Sequence, residues 1–268
     1  MIGGKRLDIL ELIQNQIGIF LLVLTRISGI FIMSPFFGSR NIPTYIRVGT
    51  AVAISLVIFP LISQESQSLT LPENMIAYTL LIFTELFVGW LIGFVASLAF
   101  SAIHMAGQLL DMQIGFGVVN VLDPTSGQQV PIVGSFKYNL ALIVFLVSNS
   151  HHILLAGLFD SFHLIPLMGA NIAPQIVTLI IDMIWGIFVI AIKISIPILV
   201  AIILTDVGLG ILARTMPQMN IFVVGIPAKI FVGLFVLSFA LPFYIVFLDV
   251  VFNEMFGNIY VVLRFISQ

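Results

Sequence analysis

Cysteine is absent from the 268 residues, and charge is scarce. Without a thiol the chain has no disulfide, no thiolate metal site and no cysteine nucleophile. Asp, Glu, Lys and Arg together make up 8% of it, against about 25% in ordinary soluble domains. Ten scattered Lys and Arg in a chain of net charge −2 cannot form the positive surface that phosphate binding requires, which excludes nucleic acid as a partner. Recognisable chemistry is missing too. His151 and His152 are adjacent, with no third histidine at helical spacing, which is not a metal-ligand pattern. Asp111 and Asp123 have no nucleophile or oxyanion donor nearby, and the "GFG" at 115–117 lacks the lysine and the strand–helix context of a phosphate loop. No enzyme, cofactor or metal is expected.

What the chain has is apolar surface: 60% of residues are hydrophobic and the mean hydropathy is +1.20. Apolar blocks fall near 17–33, 48–62, 76–103, 132–148, 153–170, 176–204 and 221–251, several close to the roughly 20 residues a membrane-spanning helix needs. With no water to pair exposed N–H and C=O groups, each block must satisfy its own backbone as a helix. The fold class is therefore all-α, a single polytopic membrane domain. The N-terminal "MIGGKRLDILELIQNQ" shows no small-residue cleavage site and reads as mature chain. Pro35 and Pro43 flank "FFGSRNI", Pro72 follows "SQESQSLTL", and Pro217 interrupts "TMPQMN", each marking a connection between helices. The first linker is basic through Arg40 and Arg47 and the second acidic through Glu65 and Glu73, so the positive-inside rule gives a weak orientation.

Arg26, Glu85, Lys137, Asp182, Lys193, Asp206, Lys229 and Asp249 lie in or at the ends of apolar runs, where each would cost roughly 2.5–3.5 kcal/mol facing lipid at mid-helix. An ion or proton relay is one reading. Interhelical pairing and snorkelling at helix ends is the other, favoured by the spread over nearly every helix. Glu85, Gly89, Gly93, Ser97 and Ser101 recur every fourth residue, a small-residue face on which helix backbones approach closely. Gly93→Leu is expected to disturb packing against partner subunits there.

The stretch "QLLDMQIGFGVVNVLDPTSGQQVP", residues 108–131, reads as too broken for a membrane helix and too apolar for a solvated loop. A pore closure needs side chains that exclude water and glycines that let the backbone move; a re-entrant connector packed against its neighbours meets the same description.

"RISGIFIMSPFFGSRNIPTYIRVG", with Arg26, Gly29, Pro35, Gly38, Pro43 and Arg47 at this spacing, resembles the N-terminal signature of the FliR family. The likeness continues through residues 108–131 to the C-terminal third, about the whole chain. The resemblance implies a membrane component of the flagellar type III protein-export gate in the bacterial inner membrane, within the basal body. It implies a FliP-like part, residues 1–190, followed by a FliQ-like helical hairpin, residues 191–268; read from the residues, Pro197, Pro217 and Pro227 divide this region into two long apolar arms around "TMPQMN". It further implies assembly with FliP and FliQ around a pore for unfolded export substrates, FlhB at the cytoplasmic entrance, FlhA below, and a complex lifted toward the periplasmic side. Ile114, Gly115, Phe116, Gly117, Val118, Val119 and Asn120 match the family's plug loop, with Phe116 as central seal. A virulence-system homologue, separated from the flagellar one only by degree of likeness, and a small-solute secondary transporter are the alternatives; adjacent FliQ-like and FlhB-like reading frames would argue for an export-gate subunit.

Overall fold

The computed structural model describes residues 3–39, 41–65, 71–72, 74–117, 131–171 and 174–267. Among them are seven long helices and no strand: α1 Gly3–Met33, α2 Thr44–Glu65, α3 Met75–Ile114, α4 Ile132–Val147, α5 Ser150–Leu164, α6 Gln175–Thr215 and α7 Ile221–Ile266. Each apolar block became one helix, but several helices outrun their blocks. The apolar start of the 108–131 stretch is not loop: α3 continues through it to Ile114. Conversely, α5 stops at Leu164, short of the expected 170, because Pro166 follows and cannot extend a helix.

Pro35, Pro43, Pro72 and Pro217 all lie between helices. The C-terminal region forms two long arms around "TMPQMN" as expected, but Pro197 and Pro227 do not break them, since α6 runs through Pro197 and α7 through Pro227 and Pro242. Apolar helices tolerate an interior proline where neighbouring elements satisfy the freed carbonyl. The expected division at residue 191 thus falls inside one continuous helix. Five of the helices are long and apolar enough to cross a membrane, or six spans if α4 and α5 count as one broken at Ser148 and Asn149. Asn149 turns there with φ 56°, a left-handed conformation that asparagine tolerates.

The helices build two compact units, one of residues 1–97, 151–181 and 255–268, the other of 98–150 and 182–254. In the first, α1 buries Ile19, Leu22, Val23, Arg26, Ile27 and Ile30, the three- and four-residue spacing that puts side chains on one helical stripe. Phe20 meets Phe59 of α2 edge to face at 5.5 Å, and the Tyr78 hydroxyl donates to Gly18 O at 3.0 Å. The last turns of α7 complete this unit. Val262, Leu263 and Ile266 are buried, the Tyr260 hydroxyl donates to Asp160 at 2.6 Å, and Asn171 N–H donates to the terminal helical carbonyl of Ile266 at 2.9 Å.

The second unit is centred on two apolar clusters. Phe100, Phe145 and Phe252 stack or meet edge to face at 5.3–5.7 Å. Leu110, Ile114, Val133, Ile198, Ile202 and Leu237 form the other cluster. Within this unit α6 and α7 are the arms of a hairpin turned at residues 216–220; Lys229 and Asp206 pair across it.

Candidate functional site

Two constructions give the described residues their functional interest, one in each unit. In the first, α1 and α3 run side by side in parallel register, Arg26 against Glu85 and Gly89, Gly29 against Leu86 to Trp90, and Ile30 to Ser34 against Gly93. Glycine is what permits it. A Cβ on Gly29 would stand 2.6 Å from both Leu86 O and Trp90 N, one on Gly93 3.1 Å from Ile30 O, and one on Gly89 would collide with the carbonyl of Arg26. This is backbone-on-backbone contact of the small-residue kind. The face expected to receive a partner subunit is therefore covered, at Glu85, Gly89 and Gly93, by the chain's own first helix. Ser97 is half-buried and donates to Phe94 O at 2.7 Å, and Ser101 is exposed.

Beside these glycines lies a fully buried ion pair. Arg26 Nε donates to Glu85 Oε2 at 2.6 Å, with both side chains at 1% exposure or less. Arg26 Nη1 donates to the carbonyls of Ser161 and Ile165 at 3.0 and 2.9 Å, and the guanidinium sits 4.4 Å above the Phe162 ring. Glu85 Oε1 accepts Met168 N–H at 3.1 Å, where Met168 has φ 67°. One arginine fork thus serves α1, α3 and the carbonyls ending α5, a geometry that lysine cannot reproduce. Charges so placed act as a structural staple: each is held by the other and by backbone groups.

The remaining signature residues shape the α1–α2 connection. Pro35 follows α1; Gly38 N–H donates to Ser34 O at 2.8 Å, and a Cβ on Gly38 would stand 2.6 Å from that oxygen. Pro43 O accepts the N–H groups of Ile46 and Arg47 to open α2, and Arg47 Nε donates to Ile42 O at 3.2 Å.

In the second unit, the stretch after α3 is clamped at its base. The first turn of α4 has unpaired N–H groups, and its N-cap, Pro131, offers no side-chain acceptor. Asp111 reaches across instead. Its two oxygens accept Val133 N–H and Gly134 N–H, each at 3.0 Å, a carboxylate on the positive end of a helix. Gly107 and Gly134 lie so close that a Cβ on Gly107 would collide with the Gly134 backbone. Sequence reasoning considered Asp111 only as half of a catalytic pair, because the N–H groups that donate to it are 22 and 23 residues away. Asp111→Ala is expected to cost about 1–2 kcal/mol by leaving both donors unpaired, read as a lowered midpoint of thermal unfolding in detergent, with Asp111→Asn falling between.

Of the residues matched to a plug, Ile114 ends α3, fully buried under Gly233 of α7. Gly115 follows with φ 103°, a conformation that favours glycine. Phe116 packs, half-buried, against the Leu110–Ile114–Leu237 cluster, and Gly117 has open space where a Cβ would be. Val118, Val119 and Asn120 lie outside the described residues.

The eight charges singled out in the apolar runs divide into three sets. Arg26–Glu85 and Asp206–Lys229 are paired. Lys137 is buried, and among the described residues it has no carboxylate partner. Asp182, Lys193 and Asp249 are exposed on helices whose outer surfaces carry many large apolar side chains, among them Trp185, Phe188, Val200, Phe231, Phe235 and Phe243. No group of three or more His, Cys, Asp or Glu converges among the described residues.

Long apolar helices, five of them long enough to cross a membrane, with the Arg26–Glu85 ion pair buried between two of them, define a polytopic α-helical membrane protein. The family model described as "Bacterial export proteins, family 1" matches residues 17–255. Flagellar biosynthetic protein FliR of Bacillus subtilis (strain 168) is 40% identical over 221 residues, 81% of this chain and 84% of the relative. FliR of Escherichia coli (strain K12) is 27% identical over 239 residues, 87% of this chain and 88% of the relative. Yop proteins translocation protein T of Yersinia pestis is 27% identical over 226 residues, 82% and 85% of the two chains. The chain belongs to the FliR family. It is a component of a type III export apparatus of the inner membrane, a structural part of that apparatus.

Proposed function

We propose that the chain is a non-enzymatic pore subunit of the flagellar export gate, assembled with FliP and FliQ, receiving unfolded substrates by way of FlhA and FlhB. The observation that carries this reading is the outer face of the α6–α7 hairpin. Asp182 and Asp249 stand exposed among large apolar side chains. Water does not suit the apolar residues, and lipid would cost each carboxylate roughly 2.5–3.5 kcal/mol at mid-helix; neighbouring protein with matching polar groups suits both. The 40% identity to a flagellar relative, against 27% to the translocation protein, favours the flagellar system. Helices of 41 and 46 residues are about 60–70 Å long, twice a hydrocarbon core of about 30 Å, which supports a complex standing partly on the periplasmic side.

In this reading the plug begins at Gly115, because the Ile114 side chain is committed to the core beneath Gly233. Gly115 and Gly117 give the backbone freedom while Asp111 holds the loop's base. Phe116 and Val119 close the pore by excluding water. Changing both to serine, with Ile114 kept, is expected to leave co-purification with FliP and FliQ intact and to open an ion leak across the inner membrane. An intact, ion-tight complex would sink the plug reading, and purification of the wild-type chain as a lone homo-oligomer would sink the subunit reading.

A further inference from the structure

A cleft of about 400 Å³ opens in the second unit between α4, α6 and α7, within the range of small-molecule sites. Its walls are apolar, from Pro197, Leu237, Phe243 and neighbours, and its charged lining residues are two lysines, Lys137 and Lys193. Lys137 is 3% exposed, yet its ammonium has one long hydrogen bond, to Ile194 O at 3.5 Å, and a position 4.7 Å above the Tyr244 ring. The Tyr244 hydroxyl donates to Lys137 O at 3.0 Å, fixing ring and lysine together. Among the described residues neither lysine pairs with a carboxylate. A buried ammonium without a counter-charge is costly, and its remaining donors call for an anion. The same cleft calls for a hydrocarbon tail.

We infer that this cleft binds an anionic phospholipid, its phosphate between Lys193 and Lys137 and one acyl chain along the Pro197–Leu237–Phe243 wall. Depth agrees with that occupant. Lys193 is residue 19 of the 41 in α6, close to midway along a helix of about 60 Å. With a hydrocarbon core of about 30 Å, immersion of either half of the hairpin brings the cleft mouth to a headgroup layer. Lys193 is itself exposed, so the mouth carries a positive charge where an anionic headgroup arrives.

The test uses the full-length protein, alone and in its purified complex, in a neutral detergent. Phosphatidylglycerol or phosphatidylcholine is added, and bound lipid is counted by native mass spectrometry. The wild type is expected to retain phosphatidylglycerol over phosphatidylcholine by at least about fivefold, and inorganic phosphate is expected not to displace it. Lys193→Gln, a change on an exposed side chain, should bring the two lipids close to parity, and Lys137→Gln should do so wherever it folds. Equal retention of both lipids by the wild type overturns the inference. So does displacement by inorganic phosphate, which would mark a bare-anion site. Carbodiimide cross-linking of Lys137 or Lys193 to a carboxylate of another subunit in the complex would give the cleft to a protein chain and overturn it equally.

Discussion

Arg26→Ala is expected to be among the most damaging single substitutions in the chain, at about 3–5 kcal/mol. The loss comes less from the missing attraction than from what remains. Glu85, at 1% exposure, would hold a charge with Met168 N–H as its one described donor, and the carbonyls of Ser161 and Ile165 would lose the donor they share. Buried ion pairs cost much to form and more to halve. Removing both charges with residues of similar volume, Arg26→Met with Glu85→Leu, should therefore cost clearly less than Arg26→Ala alone. Thermal unfolding of the purified variants in one detergent separates the cases. A loss below about 1 kcal/mol for the single variant, or a double variant as poor as the two singles combined, would show that the pair is not the staple described.

Gly89→Ala comes next, and its interest is that a single methyl group should suffice. The added carbon would run into the carbonyl oxygen of Arg26, which belongs to a helix backbone and cannot rotate away as a side-chain tip can. Overpacking costs about 1–3 kcal/mol and occasionally more, and parting α1 from α3 also lengthens the Arg26–Glu85 contact. Gly208 is the control. No heavy atom lies within 4 Å of a Cβ there, so Gly208→Ala should leave the isolated chain as stable as before, or up to about 1 kcal/mol better through helix propensity. Equal yield and stability for Gly89→Ala and Gly208→Ala would refute the close approach.

Much of this was legible in the sequence, and the limits have physical reasons. The seven apolar blocks located the seven helices, and Pro35, Pro43, Pro72 and Pro217 marked real breaks. Pro197 and Pro227 misled because a proline's effect depends on what surrounds the freed carbonyl, which a local reading does not see. The α3 end was misplaced because Gln108 and Asp111 look like loop residues; Asp111 is tolerated in the final turns since Val133 and Gly134 N–H satisfy it. The four-residue spacing of Glu85, Gly89 and Gly93 was visible as a packing face. What it faces was not, because Arg26 is 59 residues distant and nothing local names it. Lys137 was visible as a charge in an apolar run, whereas its isolation from every described carboxylate is a fact of three dimensions.

The first unit joins the chain's beginning, middle and end: α1 rests on α3 and α5, while Val262, Leu263 and Ile266 close over the same core and Ile266 O takes the hydrogen bond of Asn171. Translation runs at roughly 5–20 residues per second, so α1 leaves the ribosome many seconds before the segment that completes its unit exists. During that interval its apolar face and Arg26 must be sheltered by the insertion machinery or by other subunits. Closure of this unit is an event after synthesis, and the order in which the helices are made is not the order in which they can finish folding.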